Sequence, residues 1–306
     1  MADDYLTLAD MTVINSNDVL DIDVSNLFQS APLLRVLAAQ QSSNGSVHRW
    51  FRTTGAPVVG FRSVNDGRDH DSTVRVSVTS DLKLLDASFT IDSAIASLYK
   101  GGVQACLTME AMEHMRAAFF ALEGQILNGT SGGGAASGFT GLADNHTAPA
   151  TMTQDAGGTT ALSSLYLIRS APNAVSVVAG NEGNVEVGES LLQRITGASG
   201  HYMAWVTQIQ AWYTLQIAGS YDTLRIANID ASTHGVTDDL IYAGLKEFAS
   251  DKQPTHIVMN RRSLEQLRAN RTATNATGVP APRPTDVEGI PIVVTDALGN
   301  AESQVT

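Results

Sequence analysis

The chain has 306 residues, 43% of them hydrophobic, and a formal net charge of −12; that length builds one large core or two modest ones. The acidic balance argues against a dedicated nucleic-acid binder, whose affinity rests on basic groups meeting phosphates, yet it suits a protein that encloses nucleic acid without gripping it. No apolar run is long enough for a membrane helix, the start MADDYLTLAD lacks the basic-then-apolar order of a secretory signal, and the single cysteine, Cys106, permits no intrachain disulfide.

Residues 1–45 read as an arm. Asp3, Asp4, Asp10, Asp18, Asp21 and Asp23 stand there with no lysine or arginine before residue 30. Leu20, Ile22 and Val24 alternate with aspartates as in a short strand, and Pro32–Leu37 suits a helical turn with an apolar face. Too few apolar residues are present to build a core alone, so the arm is expected to drape over another surface.

Residues 47–85 carry a β pattern in three runs, VHRWFRTTG, PVVGFRSVNDG and TVRVSVTSDLKLL. Val74, Val76 and Val78 alternate with polar residues at period two, and Asn65-Asp66-Gly67 is hairpin-tip chemistry. A ribbon this thin is marginal alone in water and needs a partner surface. Its basic groups, Arg49, Arg52, Arg62, Arg68 and Arg75, outnumber Asp66, Asp69 and Asp71. Their alternation with Trp50 and Phe61 could serve nucleic acid, but the acidic total favours protein contact.

After a short segment at Phe89–Asp92 comes the longest periodic stretch, Val103–Asn128. Leu107, Ala111, Met115, Ala118, Leu122 and Ile126 form one helical stripe, widened by Met112, Phe119 and Leu127. Glu110, Glu113, Arg116 and Glu123 mark the wetter side, and Gly129 is a natural stop. Such a helix is ~39 Å long. Taken alone it is a core helix, with Cys106 as a small residue of that core.

A glycine-rich stretch, GTSGGGAASGFTGL, follows and is expected to be a flexible loop. Strands are expected at 165–168, 174–179, 205–209 and 212–217, and at 224–229 as an extension of that sheet. The final third changes to a helix from Asp238 to Ser250 capped by Thr237, a strand at 255–260, a helix at 261–269 and a closing strand at 290–295. That order suggests a compact α/β subdomain within an α+β chain.

The search for chemistry yields little. Gly129-Thr130-Ser131-Gly132-Gly133 spells G-x-S-x-G, but a nucleophile elbow needs a strand entering and a helix leaving, the reverse of what surrounds it. Glu110, Glu113 and His114 share a helix face, but no second Glu-x-x-His helix exists to complete a carboxylate metal site, so an interface face is the better reading. Asp69-His70-Asp71 reads as an exposed polar loop, and the remaining histidines propose no triad. No cofactor, metal or catalytic residue is expected.

The order of parts, however, is familiar. Thr53–Gly67, Gly138-Phe139-Thr140-Gly141-Leu142, Arg225–Asp230 and His256–Arg268 together make the chain resemble a tailed-phage major capsid protein of the Hong Kong 97 fold, short-tailed type. The resemblance implies an N-arm (1–45), an extended-loop hairpin (46–86), a peripheral domain (87–234) with a spine helix at 103–128, and an axial domain (235–306). It implies a virion shell protein, not an enzyme, assembling with itself into hexamers and pentamers around DNA in the bacterial cytoplasm. Scaffolding, portal and decoration or cement proteins would be its partners, and no membrane.

Expected inter-subunit contacts are Arg49, Trp50, Arg52, Phe61, Arg62, Arg68 and Arg75 of the hairpin, Asp10, Asp18, Asp21 and Asp23 of the arm, and Glu110, Glu113 and Arg116 of the helix face. Some relatives weld hairpins through a lysine–asparagine bond; no lysine lies between 46 and 82, so a non-covalent shell is expected. With about 45 residues before the hairpin no fused scaffold segment is expected either. The rival readings are an encapsulin-type compartment, another phage structural protein, or an enzyme of unrecognised type.

Overall fold

The computed structural model describes residues 6, 10–11, 30–69, 71–197, 199–275 and 279–306. In chain order the strands and helices are β1 (Ala38–Gln41), β2 (Val47–Gly55), β3 (Val74–Asp81), β4 (Lys83–Asp86), β5 (Phe89–Asp92), α1 (Ser93–Ser97) and α2 (Val103–Asn128). There follow β6 (Thr153–Asp155), β7 (Ser163–Ile168), β8 (Val175–Ala179), β9 (Glu186–Val187), β10 (Leu191–Gly197), β11 (Gly200–Thr207), β12 (Ile209–Ile217) and β13 (Thr223–Ile229). The chain closes with α3 (Asp238–Leu245), β14 (His256–Met259), α4 (Arg261–Thr274), β15 (Asp286–Val287) and β16 (Ile290–Val294).

The heart of one lobe is a six-stranded sheet in the order β15-β16-β14-β7-β13-β6. β7 and β13 are buried along their whole length; the polar residues this encloses are bonded, Arg225 to Glu302 at 2.9 Å and Asn228 to Val305 O at 2.8 Å. One face of this sheet (Leu165, Leu167, Leu224, Ile226, Ile257, Met259) packs with Ile241 and Leu245 of α3 and Leu264 and Leu267 of α4. The other face (Tyr166, Ile168, Val258, Val293) packs under the end of α2. β13 therefore does not extend the sheet of β12, as its sequence neighbourhood suggested. β12 belongs to a separate sheet, β1-β8-β12-β4, with β9 beside it.

The boundary expected at 234/235 falls between strands of a single sheet, because β6, β7 and β13 pair alongside β14 and β16. The cap on α3 is present, Leu240 N donating to Thr237 Oγ1 at 3.1 Å, but that helix ends at Leu245 rather than Ser250. Helix α4 runs on past the expected 269 to Thr274. The arm joins the β12 sheet through β1, parallel to β8, and the turn at Leu33–Arg35 buries Leu33. The residues expected to form an arm strand around 20–24 lie outside the described residues.

Helix α2 has the bounds its pattern predicts, and the stripe from Leu107 to Ile126 is buried or half-buried throughout, most deeply at its two ends. Cys106 and Leu107 sit in a cluster with Phe89, Ile91 and Ile209, and Leu122, Ile126 and Leu127 in the cluster beneath the six-stranded sheet. Between these anchors Met112 and Phe119, expected to widen the stripe, are exposed.

Glu123, expected on the wet side, is fully buried. Its carboxylate accepts the Leu33 backbone N–H at 2.9 Å and the Thr295 hydroxyl. Burial pushes this carboxyl up, and the bonds from Thr295 and Leu33 only partly offset it. One side chain thus joins the arm, the long helix and the closing strand's end.

The glycine-rich stretch is likewise ordered rather than flexible. Gln125 donates to Phe139 O at 2.7 Å and accepts from Ala135 N at 2.7 Å. Asp144 accepts from the backbone N–H groups of Thr130, Ser131 and Gly141 at 2.8, 2.8 and 2.9 Å. Gly129 has a positive φ of 59°, and a Cβ there would overlap the Asp144 carboxylate, so glycine is required on two counts. The Ser131 hydroxyl also donates to Asp144, a further tie that orders the stretch.

Two predictions follow from these carboxylates. Glu123→Ala leaves a buried backbone N–H and hydroxyl unmet and should cost about 2–4 kcal/mol, read as a lower midpoint in thermal or urea unfolding; wild-type stability of the variant would contradict it. Burial raises Asp144, but the bonds from Ser131, Thr130 and Gly141 together outweigh it and hold the carboxyl below its usual range. The unfolded chain therefore takes up the proton first as pH falls, and the stabilisation, present above the ordinary carboxylate range, is lost below it. Asp144→Asn should destabilise by about 1–3 kcal/mol at neutral pH, with the gap to wild type closing as the solution is acidified below the ordinary carboxylate range.

Candidate assembly surfaces

Strands β2 and β3 form a two-stranded antiparallel ribbon standing apart from the other sheets. Cross-strand partners share a face, so register divides its residues. His48, Trp50 and Arg52 pair with Ser80, Val78 and Val76 on one face. Arg49, Phe51 and Thr53 pair with Thr79, Ser77 and Arg75 on the other.

The first face turns to the body. His48 is buried, and Ser80 Oγ lies 2.6 Å from Thr214 Oγ1. Arg52 donates to the carbonyls of Ala218 and Ile217 at 2.8 and 3.0 Å. Trp50 stacks on His48 with ring centroids 5.6 Å apart. Trp50 and Arg52, expected at a neighbour, are therefore engaged within their own chain.

The second face is open. Arg49 and Arg75 flank Phe51, which is 79% exposed. Among the described residues neither arginine reaches a carboxylate. Phe51 was not among the expected contacts. Alternation requires Trp50 and Phe51 to face opposite ways, but only the body's position tells which one faces out.

Beyond the ribbon, residues 56–69 run without regular structure, although PVVGFRSVNDG shares the β pattern of its neighbours. A turn forms at Val64-Asn65, with Asn65 at φ 63°. Arg62 donates to Asp66 O at 2.9 Å and Arg68 to Gly60 O at 3.0 Å, so these two brace the loop that carries them. Val58, Val59, Phe61 and Val64 project fully or nearly so into solvent. A stretch this apolar and this exposed marks an interaction surface. His70 lies outside the described residues.

The helix face is mixed. Arg116 pairs with Glu113 at 2.8 Å, three residues apart, while Glu110 and Glu113 are half-buried rather than solvated. Burial pushes the Glu110 carboxyl up, and the nearby His114 only partly offsets it. The His114 ring packs 5.0 Å from Phe89. Of the acidic arm residues, Asp10 is described and exposed; Asp18, Asp21 and Asp23 lie outside the described residues.

Among the described residues no group of three His, Cys, Asp or Glu side chains is placed to hold a metal, and no helix is long and apolar enough to cross a membrane. Cys106 is buried, and that burial, with Glu110 adding to it, pushes its thiol up. His146 bonds Thr153 and Thr223 at 2.9 and 2.8 Å, with burial and then Arg225 lowering it to about 4. A cleft of about 660 Å³ between α2, β4 and the glycine-rich stretch has no histidine or cysteine in its walls.

Comparison with known proteins agrees with this picture. Among solved structures the chain is similar to the bacteriophage Epsilon15 structure, at 18% identity and a TM-score of 0.71, covering 100% of this chain and 99% of the other. It is also similar to the bacteriophage JBD30 capsid, at 12% identity and a TM-score of 0.53, covering 95% and 99%. These likenesses establish a Hong Kong 97-like α+β fold. No curated protein sequence matches. The model of the family described as Major capsid protein GP7 matches residues 16–306; the chain belongs to that family and is a major capsid protein, a structural component of a phage capsid.

Proposed function

We propose that the chain assembles with copies of itself, as hexamers and pentamers of an icosahedral shell around the phage genome, and that the outer face of the β2–β3 ribbon is a principal contact. The observation that carries this reading is that the register sets Arg49, Phe51 and Arg75 on one open face, continued by Val58, Val59, Phe61 and Val64 toward the tip. A ribbon with so little core of its own would be an aggregation liability in a monomer; in a closed shell a neighbour covers it. Many weak contacts become cooperative through symmetric closure.

The acidic residues of the N-arm, Asp10, Asp18, Asp21 and Asp23, supply a complementary partner on an adjacent subunit. Exposed ion pairs contribute about 0–1 kcal/mol each, so the arginines set register and the apolar residues set strength. Arg62 and Arg68 act by shaping the tip, and the α2 face around Glu110, Glu113 and Arg116 is a secondary contact, beside the exposed Met112 and Phe119. The axial domain of this reading is the lobe of the six-stranded sheet with α3 and α4, drawing β6, β7 and β13 from before residue 235. Closure needs no covalent weld, given the absence of lysine between 46 and 82.

Assembly in the host cytoplasm, a scaffold, a portal and decoration proteins complete the proposal, with no cofactor and no reaction. Its acidic charge lets the shell enclose DNA without sequence-specific binding.

A Phe51→Asp, Arg75→Glu double variant tests the contact. It should fold, with a thermal midpoint within a few degrees of wild type because both side chains are exposed, yet give no closed shells by electron microscopy or sedimentation. Shells of normal yield and size from this variant would remove the ribbon's outer face from the assembly contacts.

A further inference from the structure

Met112, Arg116, Phe119 and Glu123 stand at i, i+4, i+7 and i+11 on α2 and so form one row along the helix. The first three are exposed, Met112 at 62% and Phe119 at 45%. The fourth is fully buried because the arm reaches it, Leu33 N donating to the Glu123 carboxylate at 2.9 Å. Beside Phe119 lies a narrow, mostly apolar groove between Leu85, Met115, Ala118 and Tyr213. The row is thus an unpartnered apolar face whose far end already belongs to the arm.

The arm is pinned to its own subunit at both ends of this helix. Met11 is buried with Phe89, Ile91, Cys106 and Leu107 at the start of α2. Leu33 is buried with Leu122 and Ile126 at its end. Helical rise separates residues 107 and 122 by ~23 Å, whereas the chain from 11 to 33 can span up to ~70 Å. It has ample length to cross its own helix. With both ends held on one subunit, docking there needs only a loop to close, while docking on a neighbour needs an excursion and a return.

Residues 12–29 of that connection lie outside the described residues, but their sequence suits the row. Leu20, Ile22 and Val24 alternate with Asp21 and Asp23, so an extended chain there has one apolar and one acidic side. We propose that residues 18–24 dock on the exposed row of their own subunit's α2. The apolar side covers Met112 and Phe119, and the acidic side turns outward, with Arg116 at the row's edge of complementary sign. This deepens the assembly reading, because the outward aspartates are then held where a neighbour's ribbon can meet them. The docking does not depend on that reading, and its test is scored within one chain.

The test joins Ile22→Cys and Phe119→Cys in the full-length chain with a flexible bismaleimide; the native Cys106 is buried and gives little background. The double variant should link within one chain, running as a monomer on a denaturing gel. Its yield should exceed by about tenfold the dimers formed when Ile22→Cys chains and Phe119→Cys chains are co-expressed. Dimers in equal or greater yield assign the arm to a neighbour and overturn the proposal, as does the absence of any link in the folded double variant. Electron microscopy scores shells separately, so failed docking and failed assembly are distinguishable. Should the cysteines prevent folding, peroxide oxidation of wild type decides. Met112 oxidising about tenfold more slowly than the exposed Met203 supports the docked arm, and equal rates overturn it.

Discussion

An ionisable group taken wholly out of water is tolerated only where hydrogen bonds replace the water it lost, and Glu123 shows what that constraint builds. Its carboxylate can be satisfied only if residue 33 of the arm and residue 295 of the closing strand arrive together at the end of the long helix. Two residues further on, Gln125 makes the same demand of the glycine-rich stretch, and Asn128 donates to Ala297 O at 3.0 Å. Polar side chains within two turns of α2 thus fix how the arm, the glycine-rich stretch and the segment after the closing strand meet at the end of the helix. The apolar cluster around Leu122, Ile126 and Leu127 supplies bulk stability there; the polar bonds supply the arrangement.

The consequence for the subunit is a division of labour along the helix. Its two ends are anchored in separate cores, and its middle spans between them with Met112 and Phe119 uncovered. The ribbon repeats the theme, one face bonded to its own body and the other presenting arginines around a phenylalanine. On the proposed readings the ribbon's uncovered face meets neighbouring copies and the helix's uncovered middle meets the chain's own arm, and each is carried by an element anchored to the body elsewhere.

Much of this was legible in the sequence. The bounds of α2 follow from an unbroken helical period and a terminal glycine, and the strands expected at 165–168 and 212–217 from β-branched and aromatic runs; both start earlier, at Ser163 and Ile209, and the strand expected at 205–209 divides between β11 and β12. What escaped was decided by tertiary context. Glu123 looks like any surface glutamate, since a carboxylate's burial depends on donors that lie 90 residues before and 172 after it. The glycine run reads as flexible because glycine permits many conformations; Asp144 and Gln125 select one. Strand β13 reads as part of its sequence neighbour's sheet because period two reveals a strand and not its partners. On the ribbon, alternation separates Trp50 from Phe51 but cannot say which one meets the body. The arginine-rich surface was visible as composition; its division into inner Arg52, tip-bracing Arg62 and Arg68, and outer Arg49 and Arg75 needed the register.

The claim on which the account turns is that the ribbon's outer face is covered by another copy of the chain. A cryo-electron microscopy map of the assembled particle at side-chain detail tests it most directly. The account predicts density from an adjacent subunit over Arg49, Phe51 and Arg75, with Trp50 and Arg52 still turned to their own body. A particle in which that face looks into solvent, or is covered by its own chain, would contradict it.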